Sequence, residues 1–143
     1  MELDAETLGR LRRAISKIGR LLNEAATAEG FSPAQASVLN IVSARGTVSL
    51  SQLTALEGMN PSMVSRIVGK LTDQGLVVRS QGCDDQRTAV VESTPAGRER
   101  SERIRTRRAE RVAELMEDLG DGVAGALVEA LPALEALAAR ADG

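Results

Sequence analysis

Three of the four prolines in this chain follow a residue whose side chain can cap a helix: Ser32-Pro33, Asn60-Pro61 and Thr94-Pro95. Proline suits the first helical position, because the N–H it lacks would have no partner inside the helix there. The oxygen of the residue before it accepts from one of the remaining free N–H groups. Three helix starts are thereby fixed. Ser32 and Gln35 also have the spacing of a reciprocal capping box. Two stops are as plain: Gly46 follows SVLNIVSAR and Gly58 follows SLSQLTALE. These signals predict helices over 33–45, 50–57 and 61–74, the last closed by Gly75. Thr47-Val48 is read as a short connection and Gly58-Met59-Asn60 as a tight turn. A further helix runs from Pro95 to about Leu119.

Between the third and fourth of these helices the pattern changes period. LVVRSQ and RTAVVES are β-branched runs separated by GCDD, which reads as a β-hairpin. Upstream, Leu8, Leu11, Ile15, Ile18, Leu22 and Ala25 alternate spacings of three and four and form an apolar seam. Downstream, GDG at 120–122 ends the long helix. A last helix over 123–139 carries Val123, Leu127, Leu131, Leu134 and Ala138 on one face, with a kink at Pro132. The expected fold is mainly α with a small β-hairpin, in one domain spanning 1–143. Its parts are a winged helix-turn-helix at 32–94, a long connecting helix at 95–119, and dimerisation helices at 1–31 and 112–143. The terminal faces hold more apolar surface than the small winged part can cover, so a homodimer is expected.

Composition narrows the chemistry. The chain has no histidine, which removes the usual general base and the commonest metal ligand. A single cysteine forms no internal disulfide and no zinc site. No glycine-rich phosphate loop is present and the carboxylates are scattered. Neither an enzyme nor a cofactor nor a metal site is expected. The first residues, MELDAET, are acidic and lack the apolar run of a secretory signal. No apolar stretch nears the roughly 20 residues that span a bilayer. A cytoplasmic protein with no membrane partner is expected. Charge is uneven: residues 32–111 carry twelve basic and eight acidic groups, residues 112–143 one basic and seven acidic. A basic middle suits a polyanion.

The third helix is the informative one. At about 100° per residue, Val64, Ile67, Val68 and Leu71 gather on one side. Ser62, Ser65, Arg66, Gly69 and Lys70 gather on the other. That second face is small, hydroxylated and cationic, and no acidic residue occurs between Glu57 and Asp73. Serine hydroxyls can bond base edges or phosphates, and arginine can make the bidentate contact to guanine. Double-stranded DNA is the partner this face fits. A helical interaction module that does not touch DNA is the second reading. Salt separates the two, since DNA binding weakens steeply as salt rises.

NPSMVSRIVGKLTDQGLVVR, then DDQR, then TPAG resemble the multiple-antibiotic-resistance regulator (MarR) family of dimeric winged-helix repressors. The resemblance covers nearly the whole chain. It rests on a V-S-R-x-V-x-x-L helix, G-L-V-x-R into the wing, D-x-R at the wing, and T-P-A-G opening the long helix. By position it implies that Ser62, Ser65 and Arg66 face the major groove. Asp85 and Arg87 match the D-x-R pair, whose arginine in the family reaches the minor groove or is held ready by the aspartate. Lys70, on the same cationic helix face, and Arg79, at the end of G-L-V-x-R, complete the candidate set. The resemblance also implies a palindromic operator, repression, and a small-molecule effector. Two features depart from the pattern. Ser93 stands where a leucine usually precedes the threonine, which predicts looser packing of the wing. Phe31 is the only aromatic residue, which argues against the phenolic ligands usual in the family.

Two further features call for partners. Residues 98–111, RERSERIRTRRAER, contain seven arginines and three glutamates. Arg100, Arg103, Arg107 and Arg111 fall within an arc of about 80°. The candidate anions for this stripe are the acidic tail 112–143 of either chain, or DNA phosphate. Cys83 raises a second mode of control, a redox-responsive regulator. Against it stand Asp84 and Asp85, which oppose the thiolate-stabilising Arg79 and Arg87, and the absence of a resolving cysteine.

Overall fold

The computed structural model describes residues 1–81 and 89–142. In chain order the elements are α1 (Ala5–Ala28), α2 (Pro33–Arg45), β1 (Thr47–Ser49), α3 (Leu50–Glu57), α4 (Pro61–Asp73), β2 (Val77–Gln81), β3 (Ala89–Ser93), α5 (Pro95–Leu119), α6 (Asp121–Glu129) and α7 (Leu131–Ala141). They fall into two compact units, Met1–Arg108 and Ala109–Gly143.

The capping residues do what their chemistry allows. Ser32 Oγ accepts from the Gln35 N–H at 3.1 Å, and Gln35 Oε1 accepts from the Ser32 N–H at 3.0 Å. Asn60 Oδ1 accepts from the Met63 N–H at 2.9 Å, and Thr94 Oγ1 from the Gly97 N–H at 3.0 Å. A second capping box, Ser49 with Gln52, starts α3. Gly46 and Gly58 end their helices at φ of 81° and 63°, where a side chain would be strained.

The sheet is larger than the expected hairpin. β3 pairs antiparallel with β2 on one side and with β1 on the other, in the order β1-β3-β2. Thr47-Val48, read from sequence as a connection, belongs to the third strand, Thr47–Ser49, with Val48 opposite Val91. Three residues, the last of them the cap of α3, are too few to display a period of two, so the strand is visible only through its partner. α4 ends at Asp73, with Gln74 as its C-cap.

Under the sheet and helices α2 to α4 lies one aliphatic core. Val38, Leu39 and Val42 come from α2, Leu53 from α3, Val64, Val68 and Leu71 from α4, with Val48 and Val91 from the sheet and Ile104 from α5, each at most 1% exposed. Ser37 Oγ donates to Glu57 Oε1 at 2.7 Å, and Ser101 Oγ to Asn40 Oδ1 at 2.7 Å, which pairs these polar groups at its edge.

The T-P-A-G run clamps the wing to α5. Thr94 Oγ1 donates to the Gly75 carbonyl at 2.7 Å, and the Thr94 N–H donates to the Leu76 carbonyl at 3.0 Å. Gly97 is buried against that same carbonyl: a Cβ on Gly97 would lie 2.0 Å from Leu76 O. Beside the clamp, Ser93 pairs with Val77 across the sheet and is 4% exposed. Its hydroxyl has no hydrogen-bond partner among the described residues. The cost at this position is thus an unbonded polar group rather than slack in the strand register, which continues from Gln81 to Val77.

α1 starts at Asp4, whose carboxylate accepts from the Thr7 N–H at 2.7 Å and is held below its ordinary pKa by that bond. Its seam is nearly half exposed: Leu8 46%, Leu11 45%, Ile15 44% and Ile18 50%. The second unit has no buried residue in α6 or α7. The single kinked helix expected over 123–139 is two helices, bent by 48° at a break before Leu131. Pro132 sits in the first turn of α7, where its missing N–H does no harm. No single described helix is long and apolar enough to cross a membrane; α6 and α7 reach that length and apolarity only together, across the bend.

Two stability changes follow from the clamp. Gly97→Ala should destabilise by about 2 kcal/mol or more, because backbone rather than a movable side chain blocks the new methyl. Ser93→Ala should stabilise by about 1 kcal/mol by removing the unbonded hydroxyl. Denaturant midpoints of the two variants and the parent measure both.

Candidate nucleic-acid interface

α4 carries the candidate surface, and its orientation comes from packing. Val64, Ile67, Val68 and Leu71 are the buried residues of the helix. Ser62, Arg66 and Lys70 are exposed, and Ser65 and Gly69 are half-buried. The two faces expected from the periodicity are the two faces observed. No heavy atom lies within 4 Å of where a Cβ on Gly69 would stand, so a partner can approach the backbone there.

The wing meets this helix at its base. Arg79, exposed on β2, places Nη1 3.5 Å from Ser65 Oγ, the outer limit of a hydrogen bond. Arg79 therefore stands beside Ser65 with its guanidinium free to turn outward. Five of the seven candidate residues, Ser62, Ser65, Arg66, Lys70 and Arg79, come from α4 and the adjoining strand. Asp85 and Arg87, with Cys83 and Asp84, lie outside the described residues. No group of three or more histidine, cysteine, aspartate or glutamate side chains that could hold a metal occurs among the described residues.

One residue of this surface escaped the sequence reading. Met63 is 44% exposed. It sits about a quarter turn from the centre of the buried face, on the flank that Lys70 occupies two turns later. The available signal was its absence from the buried set of four.

Two arginines of the stripe, Arg100 and Arg107, have a partner the sequence did not suggest, Glu29. Arg107 Nε donates to Glu29 Oε1. The Arg100 guanidinium donates to the Glu29 carbonyl, lies 3.9 Å from its carboxylate, and covers the Phe31 ring at 4.7 Å from the centroid. Arg108 Nε donates to the Leu22 carbonyl at 3.2 Å. These cations gather at the C-terminal end of α1, where free carbonyls and the helix dipole favour positive charge. Glu29 was missed because it lies about 70 residues away in sequence. Arg111 meets the acidic tail through Glu114, one turn along its own helix, at 2.9 Å. Arg103 pairs with Glu99 at 3.0 Å.

Residues 31–89 match the model of the MarR family. That stretch, residues 31–89, is MarR-like. Proteins of this family are transcriptional regulators. The matched stretch runs from Phe31 to the start of β3 and so takes in α2, β1, α3, α4 and β2. Solved structures of similar fold cover more. MarR from E. coli in its apo form shares 24% identity over 94% of this chain and 98% of its own, with a TM-score of 0.76. NadR in complex with 4-hydroxyphenylacetate shares 21% over 99% of this chain and 95% of its own, at 0.75. CouR from Rhodococcus jostii RHA1, bound to p-coumaroyl-CoA, shares 23% over 92% and 91%, at 0.65. No curated protein sequence matches the chain.

On α5, Arg100 and Arg103 differ sharply in setting. Arg100→Ala should cost about 2 kcal/mol, since it uncovers Phe31 and empties the bond to the Glu29 carbonyl. Arg103→Ala loses only an exposed helical pair and should stay within about 0.5 kcal/mol of the parent. Thermal denaturation of the two variants side by side tests the difference.

Proposed function

We propose that the chain is a homodimeric, cytoplasmic, sequence-specific DNA-binding regulator that represses transcription from a palindromic operator and is released by a small-molecule effector. The observation that carries this reading is the two-faced α4. Its apolar side is used up inside the domain, and its outer side combines Ser62, Arg66 and Lys70 with an approachable Gly69. Acidic residues are missing from Gly58 to Thr72. Such a helix can enter a major groove with its N-terminal residues at the base edges. In this reading Arg66 and the serines read bases. Lys70, Arg79 and Arg87 meet the backbone or the minor groove, with Asp85 orienting Arg87.

Support for the dimer is energetic. The α1 seam exposes Leu8, Leu11, Ile15 and Ile18, while α6 and α7 expose Val123, Leu127, Val128, Leu131, Leu134 and Leu137. Helices with apolar faces and no buried residue gain their stability from packing on something else. A second copy of the chain supplies matching surface. Two α4 helices about 34 Å apart then demand an operator with two-fold symmetry.

Support for an effector is comparative, from the bound molecules of NadR and CouR. In this chain Phe31 is 3% exposed with Arg100 over its ring, so its face is not free to stack on an aromatic ligand.

The test is binding to operator sequences selected from genomic DNA, measured at two salt concentrations. Arg66→Ala should lose discrimination between operator and mismatched DNA by about 1–3 kcal/mol. Arg87→Ala should weaken binding uniformly and flatten the salt dependence by about one phosphate contact. Parental binding by both variants would place the DNA surface elsewhere.

A further inference from the structure

We propose that Met63 reads the 5-methyl group of a pyrimidine in the major groove, a specificity contact that rests on the DNA-binding reading above. Met63 is the third residue of α4, and its backbone is fixed there: its N–H donates to Asn60 Oδ1 at 2.9 Å. It therefore stands in the helical turn that approaches base edges most closely in a groove-bound helix. Its side chain is 44% exposed and is not among the residues that build the core. A thioether can donate no hydrogen bond and accepts only weakly, so it makes little of the polar edge of a base. The one apolar group that base pairs present in the major groove is the methyl at C5 of thymine. Methylated cytosine offers the same group at the same position.

The surroundings name the partner as nucleic acid rather than a protein. Met63 is flanked by Ser62, Arg66 and Lys70, all exposed, and Arg79 stands beside Ser65 at 3.5 Å. An apolar spot ringed by cations and hydroxyls is poorly matched to an apolar protein surface. It is well matched to a methyl group set among phosphates. Methionine also suits the task by shape, since its unbranched thioether adapts to fill the gap around a methyl.

The experiment uses the full chain and an operator duplex selected from random-sequence DNA. Each thymine in the duplex is replaced in turn, symmetrically in both half-sites, by deoxyuridine, which lacks only the methyl. In a parallel series each cytosine is methylated at C5. The parent should show one symmetric position at which the methyl strengthens binding by about fourfold per half-site, the effect of burying one such group. A thymine at that position appears as a loss with deoxyuridine, and a cytosine as a gain with methylation. Met63→Ala should bind methyl-bearing and methyl-free duplexes equally, Met63→Leu should keep the preference, and Arg66→Ala should keep it at lower affinity. A selected operator without a methyl-sensitive position, or a preference that persists in Met63→Ala, overturns the role of Met63 alone. A selection that yields no bound sequence overturns the DNA-binding reading and the role of Met63 with it.

Discussion

Everything that makes this molecule usable depends on how α4 is seated. Four aliphatic side chains, Val64, Ile67, Val68 and Leu71, lock one side of the helix into the core. Rotation about the helix axis would expose them, at roughly 1.5–3 kcal/mol for each side chain returned to water. The outward direction of Ser62, Arg66, Gly69 and Lys70 is therefore fixed by residues that never meet a partner. Rigid placement matters for groove recognition, since a hydrogen bond to a base edge tolerates little error in position.

The wing and the long helix are held to this frame by backbone contacts as much as by side chains. Thr94 bonds to Gly75 and Leu76, and the absence of a side chain on Gly97 lets the Leu76 carbonyl come within bonding distance of Thr94. One tetrapeptide thus starts α5 and ties it to the turn after α4. Movement of α5 must be felt at the base of the wing, where Arg79 stands beside Ser65. At the other edge of the same unit, Arg100 and Arg107 meet Glu29, the C-cap of α1, and Arg108 meets the Leu22 carbonyl further back on that helix. That cluster joins the helix bearing the exposed leucine and isoleucine seam to the helix that leads out of the wing.

Much of this was legible from the sequence because the signals are local. A cap followed by proline fixes a helix start whatever lies elsewhere in the chain, and Pro33, Pro61 and Pro95 each begin a helix. The faces of α4 follow from the helical period alone. The features that stayed hidden depend on residues far apart. β1 is three residues long and exists because β3 lies beside it. Glu29 gives no sign of its arginines until α1 and α5 are brought together. Met63 falls in neither face read from the sequence, and its exposure shows only once the core is filled without it. The break before Leu131 is a milder case: Pro132 signalled a kink, and the chain instead ends one helix and begins another.

By itself, then, the sequence determined where helices begin, which side of α4 turns inward, and which chemical groups are left on its outer side. These are set by hydrogen-bonding valence and by periodicity, which act over a few residues. The tertiary structure alone decided that the wing is a three-stranded sheet, that Gly97 is pressed onto the Leu76 carbonyl, and that Arg100 and Arg107 meet Glu29 at the end of α1. Those arrangements rest on contacts between segments distant in the chain. Which distant segments meet is selected by the joint burial of a core that no single segment encodes.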